Sequence, residues 1–151
     1  MTQTLKKFLT GAKNKDFATK TGTQIHKQLQ YVVIDEAETS GASDLVNMIQ
    51  QHQELKPFFV AGAKTEAPIA GYINGRFVSR RIDRLLINDL TKTIDFIDYK
   101  TDIDKTLFVE HYKHQLNEYA QLLYSAYPDY KINGYILWLH DWKLEQVCDK
   151  I

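Results

Sequence analysis

The apolar positions of this chain change period more than once, and the changes mark out its elements. From Thr21 onward, Ile25, Leu29, Val32 and Val33 recur at helical spacing, with Thr21 or Thr23 as cap, which predicts a first helix carrying His26. After the turn TSGAS, Ser43 can cap a second helix through Leu45, Met48 and Ile49 that must stop before Pro57. Between Lys64 and Lys100 the pattern reads as a β-meander, with strands near Glu66 to Ile73, Phe77 to Ile87 and Thr93 to Tyr99. Asn74-Gly75 joins the first two, because both residues tolerate the positive φ that a tight hairpin needs. A helix from about Leu107 to Tyr127 comes next, with Tyr112, Leu116, Tyr119, Ala120 and Leu123 on one stripe and Pro128 closing it. A strand from Ile132 to Leu139 and a short one near Leu144 to Val147, paired across HDWK, complete the order ααβββαββ. That order implies an α/β fold, a mixed sheet flanked by helices.

The 151 residues have one domain's length, enough to bury a core, and hold no internal repeat or linker that would divide them. With 44% hydrophobic and 25% charged residues the chain is neither disordered nor collagenous. No apolar run is long enough to span a membrane and MTQTLKKFLTGAKNK has no secretory core, so the expected location is a cytosol. Cys148 is the sole cysteine, which excludes an internal disulfide, a zinc ribbon and an iron–sulfur cluster. Basic and acidic residues balance at 19 each but are unevenly spread. Residues 1–20 form a basic segment with Lys6, Lys7, Lys13, Lys15 and Lys20, and a second basic knot, RFVSRRIDR, spans Arg76 to Arg84. Taken alone, such runs read as solvated faces.

Chemistry concentrates between Arg80 and Thr101. Residues two apart on a strand share a face, so Asp98 and Lys100 point the same way. If Asp89 to Lys92 form a four-residue hairpin loop, Asn88 faces Thr93 and the register sets Asp83 opposite Asp98 on the same side of the sheet. Facing carboxylates about 5 Å apart repel and need a proton, a cation or another register. A divalent metal resolves the conflict: two carboxylates, with the Tyr99 carbonyl as a third oxygen, suit Mg²⁺, and Lys100 then lies beside it. The competing reading makes Asp83 and Asp98 strand-edge acids paired to Arg81 or Arg84.

Ile82-Asp83-Arg84 followed by Ile97-Asp98-Tyr99-Lys100-Thr101 resembles the core of the PD-(D/E)XK nuclease superfamily. GTQIH, ending at His26, is similar to the upstream Gly-x-x-x-His element of its RecB-like branch, and Gln115-Leu116-Asn117-Glu118-Tyr119 to that branch's Gln-x-x-x-Tyr helix motif. The runs TEAPIAG, VSRRIDRLLI, DYKT, HQLNEYAQLL and YILWL are similar to the C-terminal nuclease domains of AddA-type helicase–nuclease subunits, over roughly Thr21 to Val147. The resemblance implies a restriction-endonuclease-like fold and Mg²⁺-dependent hydrolysis of DNA, with Mn²⁺ able to substitute, as the exonuclease part of a double-strand break repair machine with a helicase module or partner subunit. It implies Asp83, Asp98 and His26 as metal ligands, and Lys100 as the group that orients the attacking water and offsets phosphate charge. Glu66 would reach the metal through water, and Gln115 and Tyr119 would buttress the site or touch substrate. DNA would be held without sequence preference by the N-terminal lysines and Arg80, Arg81 and Arg84. Relatives often carry Gly about three residues before the strand acid, where this chain has Arg80.

The rival reading is a degenerate nuclease fold that binds DNA or a repair partner; its signature would be a lost acid or lysine, and the chain keeps both acids and Lys100. GAKT at Gly62 to Thr65 mimics the tail of a phosphate-binding loop, but no Gly stands five residues before Gly62 and a strand comes after it. His111 and His114, with His140 and Cys148, read as polar surface rather than a zinc site. Trp138 alternates within an apolar strand and reads as core.

Overall fold

The computed structural model describes residues 15–150 of the chain, so Lys6, Lys7 and Lys13 of the basic segment lie outside the described residues. Helix α1 spans Lys15–Leu29, β1 Val33–Ile34, β2 Thr39–Ser40, α2 Ser43–Gln50, β3 Lys64–Ile73, β4 Arg76–Asn88, β5 Thr93–Lys100, α3 Lys105–Ala126, β6 Lys131–Trp138 and β7 Lys143–Lys150. Strands β3 to β7 form one sheet in chain order, antiparallel except for the parallel pair β5–β6 that α3 connects. This is a mixed α/β architecture with helices against a five-stranded sheet. No described helix is long and apolar enough to cross a membrane.

Each face of the sheet carries its own core. Ile25 and Leu29 of α1, Leu45 and Ile49 of α2, Phe58 and Phe59 pack with Ile97, Tyr99, Leu137 and Trp142 on one side. Leu116, Tyr119, Ala120 and Leu123 of α3 pack with Ile82, Ile94, Phe96, Ile136 and Trp138 on the other. The alternation of β5 sorts its residues accordingly: Ile97 and Tyr99 go to one core, Ile94 and Phe96 to the other.

Most boundaries match the sequence pattern within a few residues, and the turns explain why. Asn74 (φ 51) and Gly75 (φ 77) are both left-handed, as a tight hairpin requires, and Ile73 pairs with Arg76. Asn88 faces Thr93, and the Asn88 carboxamide oxygen accepts from the amides of Leu90 and Thr91, which fixes the four-residue loop.

Three expectations need correction. Helix α1 starts at Lys15, so Thr21 and Thr23 lie inside it and not at its N-cap. It also ends at Leu29: the Val32 amide closes a tight turn onto the Leu29 carbonyl, and Val33 enters β1, which with β2 adds a two-residue ribbon to the expected order. Ala42, not Ser43, occupies the N-cap of α2. The chain can reverse there because Gly41 has φ 114 and an added Cβ would stand 2.9 Å from the Val32 Cα.

Candidate metal and nucleophile-orienting site

The β4 ladder is interrupted at one residue on both of its sides. Towards β5 the pairs run from Asn88–Thr93 to Arg84–Ile97 and stop one step before Asp83 and Asp98. Towards β3 they run through Thr65–Arg84 and Ala67–Ile82 but omit Glu66 and Asp83. Ile82 and Leu85 lie three apart yet face the same core, so the alternation of β4 slips by one at this point. Glu66 slips with it, held at φ 50, a left-handed conformation uncommon for any residue but glycine.

The slip turns Asp83 into the seam between β4 and β5. Its Oδ2 accepts the Tyr99 N–H at 2.8 Å, and its Oδ1 lies 2.8 Å from His26 Nε2. Glu66 Oε1 stands 3.6 Å from the same nitrogen. His26, Glu66 and Asp83 thus offer one donor atom each within 4.8 Å of one another. Cis ligands of an octahedral ion at about 2.1 Å are about 3 Å apart, so these separations suit a divalent cation. A nitrogen with two carboxylates suits Mn²⁺ as well as Mg²⁺. The edge of the His26 ring against Tyr99, with centroids 5.1 Å apart, fixes the imidazole plane. The Asp83 hydrogen bond raises the His26 pKa, with Glu66 and Asp98 adding to it, although burial opposes the shift.

Asp98 belongs to the other half of the site. It points towards α3 and meets Lys100, with Oδ2 2.8 Å from Nζ; the contact is ionic, off the hydrogen-bond direction. Lys100 Nζ also donates to Gln115 Oε1 at 3.1 Å and lies 4.1 Å from the centre of the Tyr112 ring. Gln115 in turn donates to the Tyr119 hydroxyl. Burial, then the neighbouring Asp83 charge, pushes the Asp98 carboxyl up to about 7 against the pull of Lys100.

The structure therefore brings His26, Asp83, Asp98, Lys100, Gln115 and Tyr119 to one seam, but not as spacing alone arranged them. Asp83 does not share a plain sheet face with Asp98: the slip diverts it towards α1. Glu66 has a carboxylate oxygen in the donor cluster itself, whereas Asp98 turns to Lys100. The Tyr99 contact at the seam runs through its amide N–H to Asp83.

Arg84 is also corrected. It is 1% exposed, so it offers no surface to a DNA backbone, and its guanidinium hydrogen bonds go to groups other than Asp83. Its guanidinium donates to the Tyr99 hydroxyl, the Phe58 carbonyl and the Leu29 carbonyl at 3.0, 3.1 and 2.7 Å, and packs over the Phe59 ring. Leu29 ends α1, where the helix dipole is negative, so Arg84 ties the helix that carries His26 to β4 and β5. Arg81 is exposed, and Arg80 reaches Glu118 at 3.5 Å. Tyr112, which sequence placed on the core stripe, closes over Lys100 and donates to Asp102; its spacing three residues before Gln115 was the available signal. His111 and His114 are exposed on α3, and both tryptophans are core. Compared with known proteins, the chain matches no family model and no curated sequence.

Proposed function

We propose that the chain is a metal-dependent nuclease domain of the restriction-endonuclease-like, PD-(D/E)XK kind that hydrolyses phosphodiester bonds in DNA. Its setting would be the exonuclease part of an AddA- or RecB-like repair helicase–nuclease in a bacterial cytosol. One observation carries the reading: a distorted point shared by two strands directs Glu66 and Asp83 onto His26, beside a buried Asp98 paired with a half-buried Lys100.

His26, Glu66 and Asp83 would hold the cation, with Asp98 close enough to Asp83 for their charges to interact. A divalent ion held there would supply Lewis-acid polarisation of a phosphoryl oxygen and positive charge against the transition state. The remaining work falls to side chains. Lys100, held by Asp98 and Gln115 and shielded by Tyr112, presents an ammonium that orients a water by hydrogen bonding and offsets phosphate charge. Asp83 and the Tyr99 amide keep the seam open, and Arg84 sets the distance between His26 and Asp83. A shallow hollow of about 200 Å³ lined by Thr23, His26, Tyr99, Lys100 and Tyr112 gives a phosphate access to both halves.

The test is digestion of linear and circular, single-stranded and duplex DNA by the purified protein in Mg²⁺ or Mn²⁺, beside Asp83→Asn and Lys100→Ala. Metal-dependent cleavage lost in both variants supports the reading; no cleavage of any substrate, or cleavage that both variants retain, refutes it.

A further inference from the structure

Past Asp83, β4 leaves β5 and continues with β3 alone, so residues 67–82 form a two-stranded arm ending at the Asn74-Gly75 turn. Helix α3 covers the face bearing Ala67, Ile69, Val78 and Ile82. The opposite face carries Pro68, Ala70 and Tyr72 from β3 and Phe77, Ser79 and Arg81 from β4, all exposed. Register arranges them in rungs, Pro68 with Arg81, Ala70 with Ser79 and Tyr72 with Phe77. The next rung inward in the same register is Glu66 and Asp83. This face thus runs from the donor cluster to an aromatic pair about 20 Å away, at a rise of about 3.3 Å per residue.

Its chemistry is selective. Tyr72 is 71% exposed and Phe77 63%, far more than packing alone would leave on two large rings, and they meet edge to face with centroids 5.6 Å apart. Such a pair holds both rings in place while aromatic surface stays open. Pro68, Ala70 and Ser79 make a low floor on which a polymer can lie. Every charged residue from 67 to 82 is an arginine, Arg76, Arg80 or Arg81, with no carboxylate to repel a phosphate. Arg80 turns to Glu118 on the helix side, whereas Arg81 stands on the open face, two residues from Asp83.

We propose that this uncovered face is the track for a single strand of nucleic acid, with Arg81 on the phosphate nearest the cluster, Ser79 beside it, and Tyr72 and Phe77 stacking on bases farther out. Stacking on aromatic side chains together with cationic backbone contacts is how proteins grip single strands without reading sequence. The track rests on the nuclease reading for the direction it gives the strand, while binding rests on the arm alone.

The test uses a fluorescent single-stranded oligonucleotide in Ca²⁺, read by anisotropy, and hydrolysis of bis(p-nitrophenyl) phosphate in Mn²⁺, a diester too small to reach the arm. Tyr72→Ala combined with Phe77→Ala should weaken oligonucleotide binding by about tenfold or more, and Arg81→Ala should weaken it and flatten its salt dependence. Tyr72→Phe, which keeps the ring, should bind like the parent, and thermal melts should be unchanged throughout because all these side chains are exposed. Unchanged affinity in the double alanine variant overturns the track even if both substrates are hydrolysed. So does a parent that binds no single strand, or one whose arm is buried in a dimer that the double variant dissociates. Arm-dependent binding with no hydrolysis of either substrate refutes the nuclease reading and leaves the track standing.

Discussion

Replacing Asp98 by Asn should make the metal-free protein more stable at pH 8 and leave it nearly unchanged only near pH 4. The pKa of the Asp98 carboxyl is about 7 in the folded state, against 3.8 for an ordinary Asp, because it is buried beside Asp83. Between those values the folded protein holds a proton that the unfolded chain has released. Folding free energy from this group is therefore fully present below about pH 4 and is lost as pH rises through about 7. Three units correspond to about 4 kcal/mol at about 1.4 kcal/mol per unit, and water entering the seam lowers this, so about 2–4 kcal/mol is expected. His26 acts in the same direction: its raised pKa gives stability that is complete below about 6.5 and disappears as pH rises through the higher folded value. Asparagine at 98 removes the first contribution and leaves most of the second, to which Asp98 adds least. Lys100 keeps Gln115 and the Tyr112 ring as partners, so the substitution does not leave it isolated.

Urea denaturation of parent and Asp98→Asn at pH 4, 5, 6, 7 and 8, in chelator, measures the difference directly. The curves should lie nearly together at pH 4 and separate progressively up to pH 8, where the variant melts on the order of 10 °C higher in a parallel thermal scan. Parallel pH profiles, or a variant less stable at pH 8, would refute the claim that Asp98 carries its charge at a cost.

The same geometry sets four more outcomes. Lys100→Ala should lower Mn²⁺-dependent DNA cleavage by on the order of 10² or more while leaving Mn²⁺ affinity by calorimetry close to the parent's, since Lys100 is not in the donor cluster. Glu66→Gln should weaken Mn²⁺ binding at least as much as Asp98→Asn does, because Glu66 contributes to the cluster and Asp98 faces Lys100; calorimetry reporting the reverse order would exchange their roles. Arg84→Met should cost about 3–5 kcal/mol in urea denaturation, because it orphans the Phe58 carbonyl and the Tyr99 hydroxyl together. Gly134→Ala should destabilise by about 1–3 kcal/mol, since its Cβ would stand 2.5 Å from the Phe96 ring, and a thermal melt reads that loss.

The parts of the fold governed by local rules were legible in the sequence. Asn74-Gly75 and the four-residue loop after Asn88 set the register of β3, β4 and β5, because a tight turn leaves few ways to pair the strands on its two sides. The start of α1 was not legible: KTGT places a glycine and β-branched threonines where helix propensity is low, and packing of Ile25 and Leu29 overrides it. Ribbon β1–β2 is too short to show a period. The slip at Asp83 was hidden because Glu66 slips with it, so the pairing stays in register while the faces exchange. RFVSRRIDR reads as a solvated basic knot, and a lone buried arginine runs against the usual exposure of that residue. Arg84 is buried because a helix end and a short turn supply carbonyls from segments far away in sequence, which no local pattern encodes.

The position of the site is a consequence of where β4 and β5 part. Strand β4 is long enough to pair with β5 near its end and with β3 over most of its length, but β5 must stop at Lys100 to let the chain cross through α3 to the parallel strand β6. The two strands part beyond Arg84–Ile97 although β5 continues to Lys100 alongside β6, and backbone groups at the junction need other partners. The Asp83 carboxylate supplies one by accepting the Tyr99 N–H, which holds the two strands apart. Opening that seam brings Asp98 and Lys100, at the carboxyl end of a parallel strand, beside residues from β3 and α1. Open α/β sheets bind ligands at such carboxyl ends. The same departure of β4 from β5 leaves the arm projecting with one face uncovered among the described residues, so the feature that creates the cluster also creates the surface that leads to it. A chain in which the ladder stayed closed as far as Arg81 and Lys100 would be more regular, but its carboxylates would be trapped in it.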